Sequence, residues 1–106
     1  MTIEELIFEI ILHGGNARGE AYDALKAAQN GDFEKSKEHL GAAEEEIKIA
    51  HKTQTAMIQS EINGEKVEMS LLMVHAQDHL MTALAEKSLI ENMIGLYKRI
   101  NELENK

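Results

Sequence analysis

No proline interrupts the 106 residues, and the three-to-four spacing of apolar residues along the chain breaks at only two places, Asn30-Gly31-Asp32 and Asn63-Gly64-Glu65-Lys66. A chain of this kind reads as three long helices joined by two turns: nothing inside the periodic stretches removes a backbone donor, and each stretch can bury one face. Composition agrees, with much Ala, Leu, Glu and Lys, no Trp, and only Phe8, Phe33, Tyr22 and Tyr97 as aromatics. Sheet architectures are disfavoured by that balance. The length accommodates one domain, residues 1–106, with a modest core that self-association would strengthen.

Helix 1 is expected at about 3–29. Thr2 and Glu5 form a capping box, and Ile3, Leu6, Ile7, Ile10, Gly14, Ala17, Ala21, Ala24, Leu25 and Ala28 keep the helical spacing. Gly31 supplies a left-handed stop and Asp32 an N-cap, so helix 2, about 33–61, packs antiparallel to helix 1. Its seam is Phe33, Ser36, Leu40, Ala43, Ile47, Ala50, Gln54 and Met57. Helix 3, about 70–102, starts best at Ser70, with a start nearer Val67 as the alternative, and its apolar residues cover more than one face. Two accounts stand: helix 3 meets its own bundle on one side and another subunit on the other, or it is the central helix of a monomer. Gly14, Gly15, Gly19 and Gly41 each cost about 1 kcal/mol against Ala in a helix, and close approach of neighbouring helix backbones is the expected compensation; a kink at Gly14-Gly15 is the alternative.

A formal net charge of −8, without a Lys/Arg stripe, argues against nucleic acid as a partner. No apolar run approaches the roughly 20 residues needed to span a bilayer, and the start Met1-Thr2-Ile3-Glu4-Glu5 is acidic where a signal peptide is basic. With no cysteine there is neither a disulfide nor a thiolate site, and a cytoplasmic setting is the simplest expectation. The nucleotide-binding patterns GxxxxGK[ST] and GxGxxG and the zinc-protease pattern HExxH are missing. No glutamate has a histidine three residues later, so the di-iron bundle class also recedes.

Chemistry concentrates in Val74-His75-Ala76-Gln77-Asp78-His79-Leu80-Met81, where His75 and His79 lie one turn apart on the same side of helix 3. The pair could be metal ligands, with His51 or His13 reaching over to complete a site. The two could equally be polar residues satisfied inside a bundle. Alternatively, one imidazole is a nucleophile for a phosphoryl group, since neutral imidazole is available near pH 7 and phosphoryl transfer rests largely on positioning. A start at Ser70 would put His75 little more than one turn from the positive end of the helix dipole, which modestly favours a phosphoanion. Asp78, about 60° round from His75, interrupts an apolar face. It either pairs with a Lys, an Arg or His79, or converges with two copies of itself on a threefold axis, where a divalent cation such as Mg²⁺ would offset the repulsion.

The segment Val74–Thr82 resembles the lactose/cellobiose-specific enzyme IIA proteins of the bacterial sugar phosphotransferase system. Gly15-Asn16-Ala17-Arg18, Asn30-Gly31-Asp32-Phe33, Ala50-His51-Lys52-Thr53-Gln54-Thr55 and Leu96-Tyr97-Lys98-Arg99 support the resemblance, which spans nearly the whole chain. It implies an all-α, antiparallel three-helix subunit that forms a homotrimer of nine helices. It also implies that His75 accepts a phosphoryl group on Nε2 from the histidine-containing phosphocarrier protein and passes it to a cysteine of enzyme IIB. Gln77 and His79 would support it in the same cleft, while Asp78 would hold a structural divalent metal, Mg²⁺ by expectation, at the trimer axis. His75-Ala76-Gln77 preceded by Val67-Glu68-Met69-Ser70-Leu71 looks closer to the cellobiose or chitobiose branch than to the lactose branch. Two other readings remain beside it: a histidine phosphotransfer domain of two-component signalling, which usually has Lys and Gly after its histidine, and a non-catalytic oligomerisation module with structural histidines.

Overall fold

The computed structural model describes residues 1–106 as three helices, α1 (Ile3–Gln29), α2 (Phe33–Ile62) and α3 (Leu71–Glu104), with no strand. Local chemistry sets each start. The side chains of Thr2, Asp32 and Ser70 accept from the backbone N–H of Glu5, Lys35 and Met73, each at 3.1 Å, which satisfies one donor that every helix N-terminus otherwise leaves free. The ends of α1 and α2 share one device. Gly31 (φ 79°) and Gly64 (φ 93°) adopt the left-handed conformation. The next N–H then reaches back across the last turn, Asp32 to the Ala27 carbonyl at 2.9 Å and Glu65 to the Ser60 carbonyl at 3.1 Å. These are Schellman motifs, so each Asn-Gly pair both stops a helix and turns the chain.

Alanine dominates the face of α1 that packs inward: Ala17, Ala21, Ala24 and Ala28 are buried with Ile7, Ile10 and Gly14. Small side chains let α1 lie closely along both other helices, whereas α2 and α3 barely touch. The central helix is therefore α1, and the account that makes helix 3 the centre of a monomer does not hold. The main core gathers Ile7 and Ile10, Ala50 and Met57, and Met73, Ala76 and Leu80 from the three helices; a smaller one joins Ala21, Ala43 and Ile90. The expected seam of α2 faces this interior, with Ser36, Ala43, Ala50, Gln54 and Met57 buried and Phe33, Leu40 and Ile47 half-buried.

Helix α3 is two-sided. Met73, Ala76, Leu80, Ala83, Lys87 and Ile90 are buried against the bundle. On the opposite side Leu71, Val74, Met81, Leu89, Met93, Leu96, Ile100 and Leu103 are exposed, within a band about 120° wide at 100° per residue. Among the charged residues Lys87 alone is buried; its ammonium bridges Glu44 of α2 at 2.7 Å and Glu91 one turn along α3.

Candidate functional site

Ser70 caps α3, so His75 stands in the second turn, and its side chain is exposed. Four residues on, the His79 ring stacks against it with centroids 5.9 Å apart and planes inclined by 17°. His79 is half-buried because α1 passes close by at Gly14-Gly15. A Cβ at Gly14 would meet His79 Cδ2 at 3.4 Å and the Leu80 backbone at 3.7 Å, and one at Gly15 would meet His79 Nε2 at 3.2 Å. The expected close approach thus holds for these two glycines, within an unbroken α1. It fails for Gly19 and Gly41, where nothing lies within 4 Å of a built Cβ.

Arg18 of α1 completes the enclosure. Its Nη1 lies 3.0 Å from His79 Nδ1, its Nη2 donates to the His79 carbonyl at 3.2 Å and to the Thr82 hydroxyl, and its Nε donates to the Glu86 carboxylate. Burial of the ring, then the Arg18 charge, then His75 hold the His79 pKa below the usual histidine range, against the opposing pull of the Ile11 carbonyl and Asp78. The neutral form of His79 is favoured accordingly, with one ring nitrogen committed to Arg18. Beside it, His75 keeps an imidazole open to solvent. An exposed imidazole beside a fixed partner can serve as a nucleophile.

The four residues singled out from sequence divide between three faces. His75 and His79 share one. Asp78 points away from them into the exposed apolar band, between Val74 and Met81, and its carboxylate makes no ion pair or hydrogen bond in the chain. The pairing with Lys, Arg or His79 that the sequence left open is not made. Gln77 lies about 200° round the helix from His75, so within one chain it is not in the same cleft: it accepts from Gln54 of α2 and lines an apolar groove of about 290 Å³ with Met57, Ile58, Val67 and Met73.

Neither His13 nor His51 adds a third metal ligand to the histidine pair. His13 is bonded to Glu46 and His51 is exposed on α2. The group of three potential ligands that does converge is Glu20, Asp23 and His39, between α1 and α2. Arg18, Thr82 and Glu86 were not singled out from sequence as site residues. The available signal was spacing: Arg18 follows Gly14 by four residues, on the same face of α1, and Thr82 and Glu86 follow His79 by three and seven.

The family model for the lactose/cellobiose-specific IIA subunit of the phosphotransferase system matches residues 5–98. The lichenan-specific phosphotransferase enzyme IIA component of Bacillus subtilis is 52% identical over 100 residues, 94% of this chain and 91% of that protein. The lactose-specific component of Streptococcus mutans is 42% identical over 92 residues, 87% and 88% of the two chains. Among solved structures, the cellobiose-specific enzyme IIA of Bacillus anthracis superposes with a TM-score of 0.92 at 46% identity, covering 96% of this chain and 94% of that one. A chain of the IIA(chitobiose)–HPr complex from Escherichia coli gives 0.83 at 36% identity, covering 95% and 98%. Identities at this level over nearly the full length place the protein in the lactose/cellobiose-specific IIA family of the sugar phosphotransferase system.

Proposed function

We propose that His75 is the residue through which this phosphotransferase component relays phosphoryl groups. It takes the group from the histidine-containing phosphocarrier protein and gives it to a cysteine of enzyme IIB, in the cytoplasm, during uptake of a β-linked disaccharide such as cellobiose, chitobiose or lactose. The observation that carries this reading is the pairing of an exposed imidazole, close to a capped helix N-terminus, with a stacked neighbour whose ring is already held. The likeness to a IIA chain solved with HPr supports the donor. In the first step the lone pair of His75 Nε2 forms the new P–N bond while the P–N bond of the donor breaks, its electron pair returning to the donor's imidazole. In the second the enzyme IIB thiolate forms a P–S bond and the His75 ring recovers its lone pair. No proton need leave His75, which keeps one on Nδ1. The dipole of α3 modestly favours the arriving anion.

The subunit works as a homotrimer in this proposal. The second apolar side of α3 supports it, since a band of this size on a small chain needs a partner, and Asp78 stands in the middle of that band without a counter-charge. One carboxylate is not a metal site, but three copies brought together by a threefold axis fit an oxygen-seeking divalent cation such as Mg²⁺, whose contribution would be to offset their repulsion. Gln77, turned away from its own His75, could support that residue only across a subunit boundary.

Intact mass after incubation with phosphoenolpyruvate, enzyme I and the phosphocarrier should rise by one acid-labile phosphoryl group, mapped to His75. His75→Gln should abolish the gain and leave the assembly state unchanged. An undiminished gain in that variant sinks the assignment, and an intact trimer that takes no phosphoryl group would instead favour a structural oligomerisation module.

A further inference from the structure

The contacts of Arg18 go beyond what packing of α1 on α3 needs. Its guanidinium is gripped at three places along one face of α3, the His79 carbonyl, the Thr82 hydroxyl and the Glu86 carboxylate, at positions i, i+3 and i+7. Those anchors leave Nη1 aimed at His79 Nδ1, 3.0 Å away. A guanidinium has five donors and no acceptor, so Nδ1 must accept and the ring proton must sit on Nε2. That second nitrogen faces the α1 backbone at Gly15, where no side chain intrudes. With Nδ1 held by Arg18 and Nε2 turned to α1, His79 offers His75 the face of its ring, at 5.9 Å.

We propose that Arg18 is a positioning residue for phosphoryl transfer: by donating to Nδ1 it locks His79 in one tautomer and one orientation, and so fixes the surface on which His75 meets phosphorus. The inference rests on His75 being the phosphoryl acceptor. Arg18 itself touches neither the phosphoryl group nor the reacting nitrogen in this scheme; it acts through His79. Lysine would be an incomplete substitute, since its single ammonium can reach Nδ1 but cannot span the three anchors on α3 at the same time.

The test uses the full chain labelled with ¹⁵N-histidine, at pH 8, together with single-turnover transfer from the phosphorylated phosphocarrier. Ring nitrogen correlations should show His79 wholly as the Nε2–H tautomer in the wild type and as a mixture in Arg18→Gln. The transfer rate at saturating donor should fall about 10- to 100-fold, with the half-saturating donor concentration unchanged. Arg18→Lys should recover much of the tautomer and part of the rate. Should Arg18→Gln lose its fold by circular dichroism, Glu86→Gln loosens the same guanidinium while leaving it in place and should shift both readouts in the same direction by less. An unchanged tautomer or an unchanged rate in a folded Arg18→Gln protein overturns the proposal. A wild type that takes no phosphoryl group on His75 overturns the phosphocarrier reading, and the Arg18 role with it; an active wild type beside an equally active Arg18→Gln protein overturns the Arg18 role alone.

Discussion

His79 is the most constrained titratable residue near the site, and its behaviour with pH follows from what surrounds it. Burial and the Arg18 charge hold its folded pKa down, whereas in the unfolded chain it takes up a proton as pH falls through about 6.5. Below that point the unfolded state binds the additional proton and the folded state does not, so this residue's contribution to stability is full above about pH 6.5 and declines as pH drops. A histidine-resolved NMR titration should put the His79 midpoint below 6.5, and Arg18→Gln should raise it. A midpoint at or above the free value would mean that the ring is neither buried nor facing Arg18. The glycines opposite have a matching steric role: the 3.2 Å from a built Cβ at Gly15 to His79 Nε2 leaves a methyl group room only if the ring yields.

Helix α1 carries the structure because it alone packs extensively along both others, yet its outer face is not optimised. Gly19 is exposed and a methyl group added there meets nothing within the chain. Gly19→Ala should therefore stabilise the subunit by up to about 1 kcal/mol, the usual propensity difference; a loss of stability in urea unfolding would show instead that a second copy packs against that position. Between α2 and α3 the ion-paired Lys87 acts as a strut, beside the Gln54–Gln77 hydrogen bond. Burial alone would make its proton easier to lose, but the bonds to Glu44 and Glu91 more than offset this and hold its pKa above the ordinary lysine value. Removing both carboxylates strands an ammonium inside, while removing the ammonium leaves two carboxylates that are already half in water. The double variant Glu44→Ala/Glu91→Ala should thus lose about 1–3 kcal/mol, more than Lys87→Met; the reverse order in denaturant melts would contradict the strut.

As a whole the subunit is a rod, 60 × 21 × 18 Å, that buries only 20 of its 106 residues and leaves a full side of α3 apolar and open. A small chain of this kind gains much by association. If three α3 bands meet with Asp78 at the centre, chelation of divalent cations should weaken the trimer in sedimentation equilibrium. Asp78→Leu should keep it assembled with no metal, because deleting the three charges also deletes their repulsion. A trimer equally tight with and without chelator removes the shared-metal proposal, and a strictly monomeric chain at high concentration removes the trimer as well.

The number of helices and their caps could be read along the chain, since Thr2, Asp32, Ser70, Gly31 and Gly64 act on backbone groups within a few residues of themselves. That His75 and Asp78 turn to different sides of α3 was equally legible, being a matter of 100° steps around one helix. Three features could not be read that way. Which helix lies at the centre depends on the close fit of the alanines of α1 against both neighbours. The partner of Gln77 proved to be Gln54, and the partner of His79 is Arg18, 61 residues away. Contacts of that kind are settled by how whole helices pack, because a side chain's spacing along its own helix says which way it points and nothing about what meets it there.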